Sequence, residues 1–360
     1  MATLQVIAGL LMLIWGGEWL VRGAASLAAA LKISPLVIGL TVVAFGTSAP
    51  ELGVSLQAAF GGDPGIAVGN VVGSNIINVL FVLGAAALVT PLAVSSQLIR
   101  RDLPLMVLAT IGMWSAAFSG TVSRGEGGVM FAALLVYIVW SVRSSRKENR
   151  IVVDELEDST EQIISKREII RDLFFFISGL IILGLGSRFM VGGAVAIAAK
   201  FGISKTVVGL TVVAIGTSLP EVVTSVVASF RGQRDIAVGN IVGSNLFNVL
   251  CVLALTATSI PGGIPVEQDA LNFDLPVMVA VAVLCLPTFW TGKTIHRWEG
   301  VLFVFYYGMY TTVLVGRATG WAQTRLVEQI SVIAIALTLI PVFVTSLRQR
   351  RISRIESISS

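Results

Sequence analysis

The sequence predicts an all-α polytopic membrane protein made of two inverted-topology five-helix repeats, with an extra C-terminal transmembrane helix behind them. Composition, the recurrence of long apolar runs and an internal repeat carry this expectation. Of 360 residues, 55% are hydrophobic and 13% charged, and the mean hydropathy is +0.88. A soluble domain carries about 25% charged residues, so a water-soluble enzyme is excluded first. The 36 glycines follow no Gly-X-Y period, which excludes collagen, and such hydrophobicity excludes disorder. Cys251 and Cys285 both lie in apolar stretches without metal spacing and read as small buried hydrophobes. The first segment has no basic start and runs on to about Leu31, unlike a cleavable signal peptide.

Apolar runs of about 20 residues can each cross a hydrocarbon core roughly 30 Å thick. Eleven are expected, over residues 4–31, 35–60, 65–91, 103–120, 126–142, 172–199, 206–230, 236–260, 274–292, 298–316 and 329–347. All are read as helices, because lipid cannot satisfy an open backbone. With the N-terminus outside, alternate inside loops hold 18 of the Lys and Arg residues and outside loops 5. That bias places the C-terminus in the cytoplasm, and it makes the pI near 9.3 a topology signal rather than a sign of nucleic-acid binding. The chain then divides into a first repeat (1–142), a charged cytoplasmic linker (143–171), a second repeat (172–317) and a final helix with a basic tail (318–360).

Residues 39–84 and 209–254 align without a gap at an offset of 170, with 29 of 46 positions identical. Farther on, Asp102-Leu103-Pro104 recurs as Asp274-Leu275-Pro276, and Arg124-Gly125-Glu126-Gly127 as Arg297-Trp298-Glu299-Gly300. The unit is therefore five spans. Five is odd, so the second copy enters the membrane from the opposite side. Inverted repeats of this kind build many secondary transporters, with the substrate site near the midplane between copies.

Only Glu18, Glu51 and Glu221 fall well inside spans. A centred carboxylate costs roughly 2.5–3.5 kcal/mol or more, so it marks a functional position. Glu51 and Glu221 are repeat equivalents, and inverted symmetry brings them together near the pseudo-twofold axis. Two facing carboxylates without a base in either motif invite a cation. Thr47, Ser48 and Glu51 share roughly one helical face, as do Thr217, Ser218 and Glu221. Pro50 and Pro220 lack an amide hydrogen and free the carbonyls of Gly46 and Gly216. Ser74 and Asn78 lie four apart on the next span, as do Ser244 and Asn248. The set is all oxygen, which suits Ca²⁺ and also Na⁺.

GTSAPE/GTSLPE followed by GSNIIN/GSNLFN resembles the paired alpha-repeats of the sodium/calcium exchangers, in the cation/calcium antiporter superfamily. The resemblance implies a ten-helix inverted repeat whose first helix in each half slides. It implies Glu51 and Glu221 as central ligands, completed by Thr47, Ser48, Ser74, Thr217, Ser218, Ser244 and the backbone oxygens of Ala44 and Ala214. Some members, including potassium-dependent ones, carry Asp where this chain has Asn248. Asn at both Asn78 and Asn248 leaves two core carboxylates, which favours exchange independent of K⁺. Two charges balance one Ca²⁺, so the family's excess of Na⁺ over Ca²⁺ makes transport electrogenic.

The expected function is Na⁺/Ca²⁺ antiport by alternating access in a prokaryotic plasma membrane. Its partners are Ca²⁺, Na⁺ and the bilayer, with no cofactor, no nucleic acid and no obligatory protein partner. A Ca²⁺ (or other divalent cation)/H⁺ exchanger is the alternative within transport. An intramembrane enzyme lacks any embedded His, catalytic Cys pairing or Asp pair, and a channel would not need the inverted repeat. Glu18 and Arg22 are expected to pair along the first helix. Arg188 takes the place of Glu18 in the second copy. Asp154, Glu155, Glu157 and Asp158 read as a solvated linker without calcium-loop spacing. His296 reads as an interfacial residue.

Overall fold

A computed structural model describes residues 1–155, 166–203, 205–208, 211–212, 214–290 and 292–330. The chain runs through α1 (Ala2–Ala30), α2 (Pro35–Phe60), α3 (Gly65–Val89), α4 (Leu103–Ala117), α5 (Arg124–Glu155) and α6 (Lys166–Lys200). It continues through α7, seen as Lys205–Val208, Ala214–Thr217 and Leu219–Phe230, then α8 (Arg234–Ser259), α9 (Ala270–Trp290) and α10 (Arg297–Thr319). Eight helices are long and apolar enough to cross a membrane among the described residues. The eleventh expected span, 329–347, falls almost wholly outside them.

Helix boundaries differ from expectation in two places. The 143–171 segment is expected to be a polar linker, but α5 continues into it as far as Glu155 and α6 starts at Lys166. No glycine or proline stands between 143 and 171, so nothing stops either helix at the membrane boundary. Asp154 and Glu155 therefore lie in α5, while Glu157 and Asp158 lie outside the described residues. The fourth span ends at Ala117, and its chain turns into a short strand at Thr121–Val122.

The helices α1 and α6 that open the two halves cross antiparallel. α1 packs on α6 through glycines, where an added Cβ at Gly9 would touch the Gly186 carbonyl and one at Gly16 the Gly179 carbonyl. Gly186 is the repeat mate of Gly16, and Gly179 that of Gly9, so the equivalents exchange partners along an antiparallel crossing. The short strands do the same. Leu92–Ala93 (β1) pairs antiparallel with Thr294–Ile295 (β4), and Thr121–Val122 (β2) with Ile264–Pro265 (β3). Each pair joins loops that the alternating topology assigns to one side of the membrane.

The recurring downstream motifs have structural reasons. Glu126 Oε2 accepts the Ser123 N–H at 2.8 Å and Glu299 Oε2 the His296 N–H at 2.7 Å, capping α5 and α10. The glycines that follow lie against backbone of the other half, Gly127 against the Ala254 carbonyl and Gly300 against that of Gly84. Asp102 accepts from Tyr137 and Asp274 from Tyr310, both at 3.0 Å, tying α4 to α5 and α9 to α10. Cys251 and Cys285 are free and buried.

Candidate functional site

The site forms where α2 and α7 break. Thr41 and Thr211 turn their hydroxyls back onto the carbonyls of Val37 and Val207 at 2.6 Å, which bends helices. Residues 39–43 widen into a π turn, and the helix interrupts at Ser48 (φ −82°, ψ 1°), as it does in α7 at Ser218 (φ −87°, ψ 4°). Pro50 and Pro220 open the segments that follow, where a missing amide hydrogen costs nothing. Glu51 and Glu221 thereby stand in a first helical turn, whose dipole favours negative charge.

Both carboxylates are fully buried. Each is held by a hydroxyl of its own half and one of the other. Glu51 Oε1 accepts from Ser74 at 3.4 Å and from Ser218 at 3.5 Å. Glu221 Oε1 accepts from Ser244 at 3.5 Å and from Ser48 at 3.4 Å. Ser218 lies 3.4 Å from Ser74, and Thr47 lies 3.3 Å from Ser244. The second oxygens, Glu51 Oε2 and Glu221 Oε2, are buried and have no partner among the described residues. Among the described residues no His, Cys, Asp or Glu joins them in a group of three. No basic side chain contacts either glutamate in the bonds described.

The other expected residues take varied places. The Ala44 carbonyl accepts the Thr47 hydroxyl at 3.3 Å and the Ser48 N–H at 3.0 Å, and the Ala214 carbonyl accepts Thr217 at 3.2 Å. Thr217 is half-buried and makes no bond to the cluster, unlike Thr47. Asn248 donates to Asn75 Oδ1 at 3.1 Å rather than to a glutamate, while both amide atoms of buried Asn78 have no partner among the described residues. Asn78 and Asn248 each begin a π turn, at Asn78–Leu83 and Asn248–Leu253. Such turns cluster at functional positions.

Two expectations are corrected. The Gly216 carbonyl freed by Pro220 accepts the Ser187 hydroxyl, so that oxygen is already engaged. Gly17 is the repeat mate of Ser187 and has no such group to give Gly46. Glu18 pairs with Arg231 rather than Arg22, linking α1 to the end of α7, and Arg22 lies over the Phe175 ring at 4.8 Å. A helix-face pair would leave Arg231 without this partner, and the crossing geometry brings it within reach.

Sequence reasoning missed a polar row beside the site. Asn70 donates to Ser55 and Asn240 to Ser225, both at 3.0 Å. Asn75 and Asn245 cross between halves, donating to the sulfurs of Met278 and Met106 at 3.6 and 3.5 Å. Spacing could have found the first four. Asn70 is one turn before Ser74, and Ser55 one turn after Glu51, with the same steps in the second copy.

A cation fits this donor set. A buried pair of carboxylates is unfavourable until a positive charge or protons neutralise it. Hydroxyls that now donate to the carboxylates can rotate and present lone pairs instead. Hard oxygen donors of this kind match Ca²⁺ and similar ions.

Comparison with known proteins agrees. The family model "Sodium/calcium exchanger protein" matches residues 1–143 and 172–316. The putative antiporter CaxA of Alkalimonas amylolytica is 38% identical over 319 residues, spanning 87% of this chain and 98% of its own. The sodium/calcium exchanger MaX1 of Methanosarcina acetivorans is 32% identical over 343 residues, 86% of this chain and 97% of its own. The solved sodium-calcium exchanger NCX_Mj superposes with a TM-score of 0.74 at 31% identity, covering 87% of this chain and 98% of that one. This chain is a member of the sodium/calcium exchanger family.

Proposed function

We propose that the protein exchanges Na⁺ for Ca²⁺ by alternating access, electrogenically and without K⁺. The observation that carries this reading is the cross-bonded glutamate pair, in which each carboxylate is bound by hydroxyls from both halves. An ion held there contacts both repeats at once, so their relative movement can pass it from one side to the other. The ion ligands are Glu51, Glu221, Ser48, Ser218, Ser74, Ser244, Thr47 and Thr217, with the carbonyls of Ala44 and Ala214 and the amides of Asn78 and Asn248. Two carboxylates balance one Ca²⁺, and neither asparagine supplies the further charge that a co-transported K⁺ would call for. The protein resides in the plasma membrane with its C-terminus in the cytoplasm, in keeping with the charge bias of the loops.

Proteoliposomes loaded with Na⁺ and diluted into Na⁺-free buffer test this. Radiolabelled Ca²⁺ uptake should require internal Na⁺ and persist in the complete absence of K⁺. Uptake driven by a pH gradient instead, or by K⁺ loading, would refute it.

A further inference from the structure

We propose that Asn240 and Asn70 are the two gate latches of the exchanger: Asn240 holds α2 closed against α8 here, and Asn70 takes the same hold on α7 when the opposite side closes. This rests on the alternating-access reading above. The two asparagines are repeat mates, and they share one bond. Each commits its amide nitrogen to the serine one turn beyond the glutamate of its own half, Ser225 for Asn240 and Ser55 for Asn70, both at 3.0 Å. That commitment fixes the carboxamide, leaving its oxygen to accept.

The oxygens differ. Asn240 Oδ1 accepts the Thr47 hydroxyl at 3.1 Å, bridging α8 to α2 beside the glutamates. Thr47 and its mate Thr217 both lie within bonding distance of the carbonyl three residues back, Ala44 at 3.3 Å and Ala214 at 3.2 Å, but only Thr47 also reaches an asparagine. Burial follows the same division: Thr47 and Asn240 are fully buried, whereas Thr217 and Asn70 are half-buried. The backbone agrees. A Cβ at Gly239 would lie 2.7 Å from the Leu36 carbonyl and one at Gly243 2.6 Å from that of Leu40, so α2 and α8 touch directly. Nothing among the described residues comes within 4 Å of the same point on Gly69 or Gly73. Gly69 is exposed and its mate Gly239 buried. Among the described residues the α2/α8 contact is made and its α3/α7 equivalent is not, with the threonine–asparagine bond made only on the α2/α8 side. Asn70 Nδ2 is held by the Ser55 hydroxyl, as Asn240 Nδ2 is by Ser225, and also by the Glu51 carbonyl at 3.1 Å, which leaves Asn70 Oδ1 free to accept from Thr217 in the reverse state.

Asn240 and Asn70 are thus positioning residues. Interhelical hydrogen bonds of this kind shift a two-state balance by about threefold to tenfold. Spin labels placed at exposed Leu31 and Arg234 report the α2/α8 gate, and labels at exposed Phe201 and Asp63 report the α3/α7 gate. Both native cysteines are buried, so labelling goes to the introduced pairs. Pulsed dipolar distances are measured in proteoliposomes free of Na⁺ and Ca²⁺, so the readout does not depend on which ion is carried. Asn240→Ala should move the population toward a longer Leu31–Arg234 distance and a shorter Phe201–Asp63 distance, by about threefold to tenfold. Asn70→Ala should move it the opposite way. Unchanged distributions, or shifts of the same sign in both variants, would overturn the latch, because a merely structural role loosens both gates alike. Should Asn240→Ala not be recovered, Asn240→Gln displaces the same amide and is read in the same way. Opposite shifts in a protein that moves no Ca²⁺ would keep the latch and remove the Na⁺/Ca²⁺ reading.

Discussion

Glu51 and Glu221 each keep one oxygen on two hydroxyls and one without a partner among the described residues, and that division sets what substitutions should do. Glutamine at either position removes a charge and puts an amide nitrogen among donors, so Glu51→Gln and Glu221→Gln should each nearly abolish Ca²⁺ flux. Normal flux in both variants would remove the proposed site. Ser74→Ala or Ser244→Ala deletes one neutral ligand. A hydrogen bond to a charged group is worth about 1.5–3 kcal/mol, so Ca²⁺ affinity should fall roughly ten- to a hundredfold. Isothermal titration in detergent reads this directly. These residues were legible because the motif occurs twice, in register, with a glutamate at its centre. Asn70, Asn240, Ser55 and Ser225 were equally legible by stepping one helical turn outward from Ser74 and Glu51. Ser187 was not, since its repeat mate is Gly17 and an asymmetric residue leaves no echo to search for. The Glu18–Arg231 pair was likewise hidden, because 213 residues separate partners that only the α1–α7 crossing brings together.

At the scale of elements, glycines decide which helices can touch. Gly239 and Gly243 allow backbone contact between α8 and α2, and no described residue comes within 4 Å of a Cβ built on their mates Gly69 and Gly73. A Cβ at Gly73 meets no described residue in this conformation and is expected to collide when the α3/α7 gate closes. Gly73→Val should leave Ca²⁺ binding from the open side within about twofold of wild type while turnover falls on the order of tenfold or more, since overpacking costs about 1–3 kcal/mol. Gly243→Val should instead destabilise the closed gate seen here, because the new Cβ meets the Leu40 carbonyl rather than a movable side chain. Comparing binding with turnover for both variants checks the pair, and equal losses in each would contradict it. The membrane helices themselves were legible from apolar runs, with ends displaced by a few residues. The helical reach of α5 and α6 beyond the membrane was not, because polarity alone suggested a linker. The decisive feature there was the missing helix breaker between 143 and 171.

Over the whole molecule, an odd number of spans per repeat leads to the expectation of inverted halves, and the exchanged glycine and strand pairings are in keeping with it. The unequal gates were not legible, because near-identical motifs carry no record of which one is closed. Charge balance across the exchanged repeats leads to the last expectation. With both glutamates ionised, the site binding one Ca²⁺ is neutral, and the site carrying Na⁺ in excess of two per Ca²⁺ is positive. The Na⁺ limb then moves charge through the membrane field, worth about 2.3 kcal/mol per elementary charge per 100 mV. In Na⁺-loaded vesicles taking up Ca²⁺, net positive charge leaves, so an inside-positive potential should accelerate uptake and an inside-negative one should slow it. The potential is set with a proton ionophore and a pH step, which keeps K⁺ out of both compartments. Uptake that responds to neither sign of potential would mean two Na⁺ per Ca²⁺, with no net charge moved.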